Sequence, residues 1–552
     1  MQTPAHHLSS FLSLALLCAC LTHAIPAIAN DAPSSINRGQ LNPDMLLASG
    51  GAWENFKNIR QGRSTPEEPG EGTDSSLPKT PQPEKNATST AQKAREKPTS
   101  TPPQSLNQAT SSPPLTAHQP VPAKTTLRNA TTAMPDQSLI TAPAEPTEQS
   151  GAWKFYAGTM HINGNAYYDP HGVNFKWAYS RVDPLPANPR IVVHMHGSGG
   201  GEGSMQVFGP SPQGDIEVRT QDAEAYNQDW REWWTFGSDG VPYPGRRIAA
   251  TLEFLVDRYH IDPGRRGIVL QGPSMGGAGA VIQTMILPSP WREYIAYSSA
   301  RIGVIMPRQI AQRDPGQYAT FPPNNPQHKA LWDSIDFAVQ SASDPVVRGM
   351  HYRHAFSSDD QFSAGVNNAN TQLQFVNLVE QRKIGGAFGW VKAGHDSYEP
   401  GVRLPDMSVF ETPEQDVTLD RAHPAITHST GNYPLLAADR ANQAKFPRGH
   451  YNMGITWNHA HIIDDKSQLV FPLKYQRRVN IGGGIPDQPM KITISVTPRR
   501  ARNFEIHDGE TLKWSWNAGA LSGTAKVVGD TVTIDGIPLL SGDTYRALRI
   551  YR

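Results

Sequence analysis

The chain is almost without cysteine: Cys18 and Cys20 are the only two in 552 residues, both within the first twenty positions. A protein exported and trimmed beyond them would hold no thiol, which excludes disulfides and cysteine-ligated metals from its folded part. An excess of one charge is lacking too. Fifty Lys and Arg balance fifty Asp and Glu, so no basic stripe draws phosphates and nucleic acid is not an expected partner. Between Lys57 and Ala152 there is no Phe, Trp or Tyr. That stretch is built from Pro, Thr, Ser, Ala, Gln and Glu, as in Thr101-Pro102-Pro103 and Ser111-Ser112-Pro113-Pro114. It lacks the apolar area that would offset about 1–2 kcal/mol per residue of backbone entropy, so no folded core is expected from it.

Long apolar runs are scarce as well. The one at the start, Leu8 to Leu21, is short for a bilayer span and fits the apolar region of an export signal. Ala27-Ile28-Ala29 follows as a small-x-small cleavage site, giving a mature chain from Asn30 that is secreted or periplasmic. The n-region carries only His6 and His7 in place of Lys or Arg. Leu17-Cys18-Ala19-Cys20 supports an alternative, a lipobox in which acylated Cys20 anchors the protein to a membrane.

What is present begins near residue 150, where aromatics return at Trp153. Arg190 to Met195 and Ile268-Val269-Leu270 read as buried strands, and Arg247 to His260 as a helix with one apolar face. Alternation of this kind is the signature of an α/β domain. Past about residue 402 the pattern turns to short alternating strands: Ile492 to Val496, Leu512 to Trp516, Thr531 to Ile534 and Tyr545 to Tyr551. Asp508-Gly509, Gly529-Asp530 and Gly542-Asp543 punctuate them, as in a small β-sandwich. The expected division is a leader over 1–29, a Pro/Thr/Ser-rich linker over 30–150, a catalytic α/β domain over 151–402 and a β-rich domain over 403–552.

Chemistry concentrates in three places. Gly272-Pro273-Ser274-Met275-Gly276 reads Gly-x-Ser-x-Gly between a strand and a small-residue helix, the setting in which a strained turn lifts a nucleophilic Oγ above a sheet. His196-Gly197-Ser198-Gly199-Gly200-Gly201 follows an apolar strand. Such a loop supplies one oxyanion donor and the residue after the nucleophile the other, here the backbone N–H groups of Ser198 and Met275. A phosphate cradle is the rival reading, but no lysine stands at P-loop spacing. The base is expected after the serine, and His395 lies in the polar loop Gly394-His395-Asp396 beyond the strand-like Ala387 to Val391. His354, His423 and His450 are rivals, read as surface or core histidines. The acid falls between serine and base, after the strand-like Tyr352 to Phe356: Asp360 is preferred and Asp359 competes. Trp230, Trp233 and Trp234, between the oxyanion loop and the helix, are candidates to line a substrate site. His459 and His461 read as alternating on a strand, without the third ligand a metal needs, and no metal or cofactor is expected.

The run Tyr259-His260-Ile261-Asp262-Pro263-Gly264-Arg265, then a strand and Gly272-Pro273-Ser274-Met275-Gly276-Gly277, resembles the α/β-hydrolase superfamily. The branch it is similar to comprises secreted polyhydroxyalkanoate depolymerases, feruloyl esterases and acetylxylan esterases, which also show His-Gly upstream and a late Gly-His. Ser357 stands where that branch has the glycine of its acid loop. The resemblance spans about Ile191 to Ser397. It implies an α/β-hydrolase sheet, a serine esterase working through an acyl-enzyme, and an ester substrate on or within a polymer. Two rivals are a serine peptidase of the prolyl-oligopeptidase kind and a cell-surface binding protein on an inactive hydrolase scaffold.

Overall fold

Short apolar runs flanked by glycine and proline are strands in this protein, and the longer periodic runs between them are helices. The computed structural model describes residues 140–141, 146–150, 152–162, 172–197, 214–220, 233, 236, 242–301, 322, 324–357, 368–391, 416–433, 449–479, 487–542 and 544–552. The expected leader and nearly all of the expected linker lie outside the described residues.

Eight strands form the central run of a main sheet that has eleven strands among the described residues: β1 (Trp153–Ile162), β2 (Val173–Val182), β3 (Ile191–His194), β4 (Ile216–Thr220), β5 (Ile268–Pro273), β6 (Ile295–Arg301), β7 (His351–Ser357) and β8 (Gly385–Val391). Their order is β1-β2-β4-β3-β5-β6-β7-β8. Strand β2 runs antiparallel to both its neighbours, while β4, β3, β5, β6, β7 and β8 are mutually parallel. This is the α/β-hydrolase sheet that the motifs implied. The short strands Ile140–Thr141 and Glu148–Ser150 add to β1.

One face of the sheet carries the apolar core. Helices α1 (Tyr243–Tyr259), α2 (Met275–Ile286) and α3 (Asn368–Gln381) supply Ile248, Leu252, Val281, Ile282, Phe375 and Val376 to it. Helix α1 starts four residues before the expected Arg247 because Pro244, with φ already set, suits a first turn. It ends at His260, left-handed at φ 53°, whose N–H closes on Asp257 and Val256.

The remaining strands are β9 (His423–Ser429), β10 (Gly449–Tyr451), β11 (Ile455–Trp457), β12 (Ile463–Asp464), β13 (Gln468–Tyr475), β14 (Lys491–Arg499), β15 (Thr511–Trp516), β16 (Leu521–Lys526), β17 (Ile534–Leu540) and β18 (Arg546–Tyr551). Strand β10 pairs antiparallel with β8 and extends the main sheet. The others form two antiparallel sheets, β9-β14-β17 and β11-β13-β18-β15-β16, with β12 beside β13. Leu469, Phe471, Ile494, Leu512, Ile537 and Leu548 share one core in this sandwich.

Two local expectations are corrected. Thr531 to Ile534 is a turn and approach, not a strand: Val528 and Thr531 bridge around Gly529 at φ 63°, and pairing with β14 begins at Ile534. His459 and His461 do not alternate on a strand. They sit on a 3₁₀ turn, closed by His461 N–H to Asn458 O and Ile462 N–H to His459 O; residues two apart on such a turn do not share a strand's face.

The sandwich is bound to the starting ends of the parallel strands. Arg500 donates to the carbonyls of Ile295 and Ala296 and Arg499 to those of Arg382 and Lys383, while Arg502 ties back to the carbonyl of Leu419, just before β9. From the other side Arg190 reaches the carbonyls of Arg266 and Val417 and pairs with Asp416 at 2.6 Å. Between these ties His351 of β7 faces His423 of β9, ring centroids 5.9 Å apart, both buried.

Candidate active site

Strand β5 and helix α2 meet at a single residue. Ser274 has φ 52° and ψ −122°, a conformation that L-residues rarely adopt and that costs on the order of 1–3 kcal/mol. Steric crowding explains why the chain can turn only here. A Cβ at Gly276 would overlap the Met195 carbonyl oxygen and come within 2.7 Å of the His196 oxygen, and one at Gly272 would strike the same Met195 oxygen. The two glycines are therefore required by the close passage of β3 beside the turn, not by flexibility. Ser274 does not cap α2 with its own side chain, and it remains half-buried. Met275 is the first residue of α2, so its N–H has no acceptor within the helix and lies at the positive end of the helix dipole.

The His-Gly segment leaves β3 against this turn. A Cβ at Gly197 would sit 3.6 Å from that of Ser274, so the loop's backbone passes directly beside that serine. Trp233 holds it there. Its indole N–H donates to the His196 carbonyl at 3.0 Å, its ring lies 5.0 Å from the imidazole, and it is wholly buried. Gln283 of α2 donates in turn to the Trp233 carbonyl, and Gly279 leaves the room for it, since a Cβ there would come within 2.5 Å of Trp233 Cβ. Trp233 is wholly buried; the expectation of a substrate contact gives way to a brace under the His196-Gly197 loop. Its signal in the sequence was indirect: Gln283 is a long polar residue in a helix otherwise made of small and apolar ones.

Of the other expected site residues, Ser198, Trp230, Trp234, Asp359, Asp360 and His395 lie outside the described residues. The strands that precede them are described. β3 ends at His194, β7 at Ser357 and β8 at Val391, all parallel to β5 and ending on the edge where Ser274 stands. The three rival histidines are core residues. His354 stacks on Phe375 at 5.2 Å with both ring nitrogens enclosed, and burial holds its pKa down at about 3. Burial likewise lowers His450 to about 4 and His423 well below the usual histidine range.

Trp233→Phe tests the brace. It keeps the ring and removes the donor, leaving the buried His196 carbonyl unmatched at a cost of about 1–3 kcal/mol. The expected result is a fall in kcat of about tenfold or more on small esters, with KM nearly unchanged. Equal kcat in mutant and wild type would show that the loop holds its position without the indole.

A Gly-x-Ser-x-Gly turn at the end of β5, in a sheet of this strand order, defines an α/β-hydrolase fold. No protein-family model and no curated protein sequence matches the chain. Solved structures do. The chain is similar to an S-formylglutathione hydrolase from Agrobacterium tumefaciens, with 14% identity and a TM-score of 0.35 over 46% of this chain and 92% of that one. It is similar to acetyl xylan esterase 1 from Thermoanaerobacterium sp., with 12% identity and a TM-score of 0.30 over 47% and 83%. An acylaminoacyl peptidase from Pyrococcus horikoshii matches at 13% identity and a TM-score of 0.32 over 44% and 37%.

Proposed function

We propose that the chain is an exported serine hydrolase of carboxylic esters, acting through an acyl-enzyme on esters borne by or built into a polymer. The observation that carries this reading is Ser274, held at φ 52° between β5 and α2 with the His196-Gly197 backbone beside it. In this reading His395 takes the Ser274 proton and Asp360 holds the imidazole in the needed tautomer. The N–H groups of Met275 and Ser198 receive the tetrahedral oxyanion, and water then releases the acid. A peptidase shares the elbow, so the substrate class is decided by assay.

A fluorophosphonate probe is expected to label the purified protein once, at Ser274, and p-nitrophenyl, feruloyl and acetyl-xylan esters to turn over faster than peptides. Intact mass of the labelled protein also reports its start. A chain beginning at Asn30 supports free export, whereas a diacylglyceryl-modified Cys20 places the enzyme on a membrane. An unlabelled Ser274 in folded protein removes the proposal.

A further inference from the structure

The outer face of the sheet β11-β13-β18-β15-β16 has a charge pattern that the neutral whole does not. Leu512 and Trp516 of β15 and Leu548 and Ile550 of β18 point into the sandwich core, so Lys513, Ser515, Arg549 and Tyr551 point outward. Lys513 pairs across to Tyr551 on one side and Thr524 on the other, Ser515 to Arg549 and Ser522, and Thr511 to Lys526. Arg549, Lys513 and Lys526 therefore lie on one diagonal across three adjacent strands. Each step is one strand sideways and two residues along, roughly 8 Å from about 4.8 Å and about 6.8 Å. All three are exposed.

No carboxylate stands on this face of the three strands. The acids at its border are engaged elsewhere: Glu510 pairs with Arg552 at 2.9 Å, and Asp465 accepts from the backbone and hydroxyl of Ser467. Most of the side chains flanking the diagonal are short, Ser515, Thr511 and Thr524, so the face is shallow. Tyr551 lies along the diagonal with the Arg549 guanidinium over its ring at 5.0 Å, which fixes that cation's place.

We propose that this face docks an acidic polysaccharide, a sugar polymer whose regularly spaced carboxylates meet Arg549, Lys513 and Lys526 in turn. The inference rests on the reading of the chain as a hydrolase of polymer-linked esters and names the polymer's charge. A flat, hydroxyl-bearing face with evenly spaced cations and an aromatic ring suits a sugar chain. A lipid surface is less well matched, because the outward positions of β15, β16 and β18 carry no Leu, Ile, Phe or Met to insert, and the exposed Leu521 at the start of β16 is in register with the inward Trp516.

The test uses the full chain in affinity electrophoresis against polygalacturonate and against unsubstituted xylan, with flotation on phosphatidylglycerol vesicles alongside. Expected is retardation by polygalacturonate, absent with xylan and weakened by salt. Lys513→Gln with Arg549→Gln should weaken it by about tenfold or more with melting unchanged, and the charge-reversed pair Lys513→Glu with Arg549→Glu should abolish it. Equal retardation by both polymers, a double Gln variant that binds like wild type, or binding to vesicles in preference to polygalacturonate would each overturn the proposal. Turnover of p-nitrophenyl acetate is read separately. Its absence would sink the hydrolase reading without touching the binding result, and the reverse also holds.

Discussion

Ser274→Ala is expected to lower kcat on small esters by several orders of magnitude, on the order of 10⁴–10⁶, while leaving the fold intact. On the proposed mechanism alanine removes the Oγ that attacks, and it meets the same backbone strain at φ 52° that serine does. His395→Ala should cost about as much, and the double variant little more than either, since the two act as one device. Asp360→Asn is expected to lose on the order of 10⁴ by favouring the wrong imidazole tautomer. Asp359→Asn should stay within a few-fold of wild type, and the opposite order would move the acid to Asp359. Ser274→Gly separates catalysis from strain: equally inactive, it should melt higher than Ser274→Ala, because glycine is at ease where φ is positive. A Ser274→Ala protein that still turned over esters at an undiminished rate would leave the site without its nucleophile.

The second large effect is on stability in acid. His351, His354, His423 and His450 are each no more than 2% exposed, and burial lowers the pKa of all four. The neighbours of the facing pair make protonation worse. From the main sheet Arg353 faces His351, and from the sandwich Arg499 and Arg500 face His423, with His459 beyond. Asp416, the carboxylate beside His459, is taken by Arg190. A histidine neutral in the fold but titrating near 6.5 when unfolded contributes stability that is complete above pH 6.5 and lost as pH falls below it. At pH 5 each such group costs about 2 kcal/mol, so four cost about 8 kcal/mol. That rivals the whole stability of many domains, about 5–15 kcal/mol. Urea unfolding at pH 7.5 and pH 5.0 should therefore show a large drop, and His351→Gln with His423→Gln should roughly halve it. Midpoints that coincide at the two pH values would mean the imidazoles already carry charge in the fold.

The parts legible in the sequence were those set by local pattern. β3 and β5 announce themselves as apolar runs because both their faces are covered, and the elbow does so because Gly272 and Gly276 have no room for a side chain. What stayed hidden depends on partners far along the chain. Nothing near Tyr451 says that β10 will pair with β8, some sixty residues back, because a three-residue strand has no periodicity to read. Trp233 looked like a ligand platform in a tryptophan-rich insertion. Its burial follows from Gly279 and Gln283 on another element, a match that no spacing encodes. The turn at His459 to His461 misled for the opposite reason: two polar residues in alternation imitate a strand over so short a span.

The arginines that cross from the sandwich end on main-chain carbonyls at the starts of β6 and β8, not on side chains. A side-chain partner can be changed by mutation, whereas a carbonyl can only be moved by moving the strand. The sandwich is thus keyed to the register of the hydrolase sheet and cannot be exchanged like a tethered module. Grafted onto another sheet of this fold, it would bring two guanidinium groups, those of Arg499 and Arg500, in search of acceptors, and the sheet it left behind would expose His351 and Tyr297 to water.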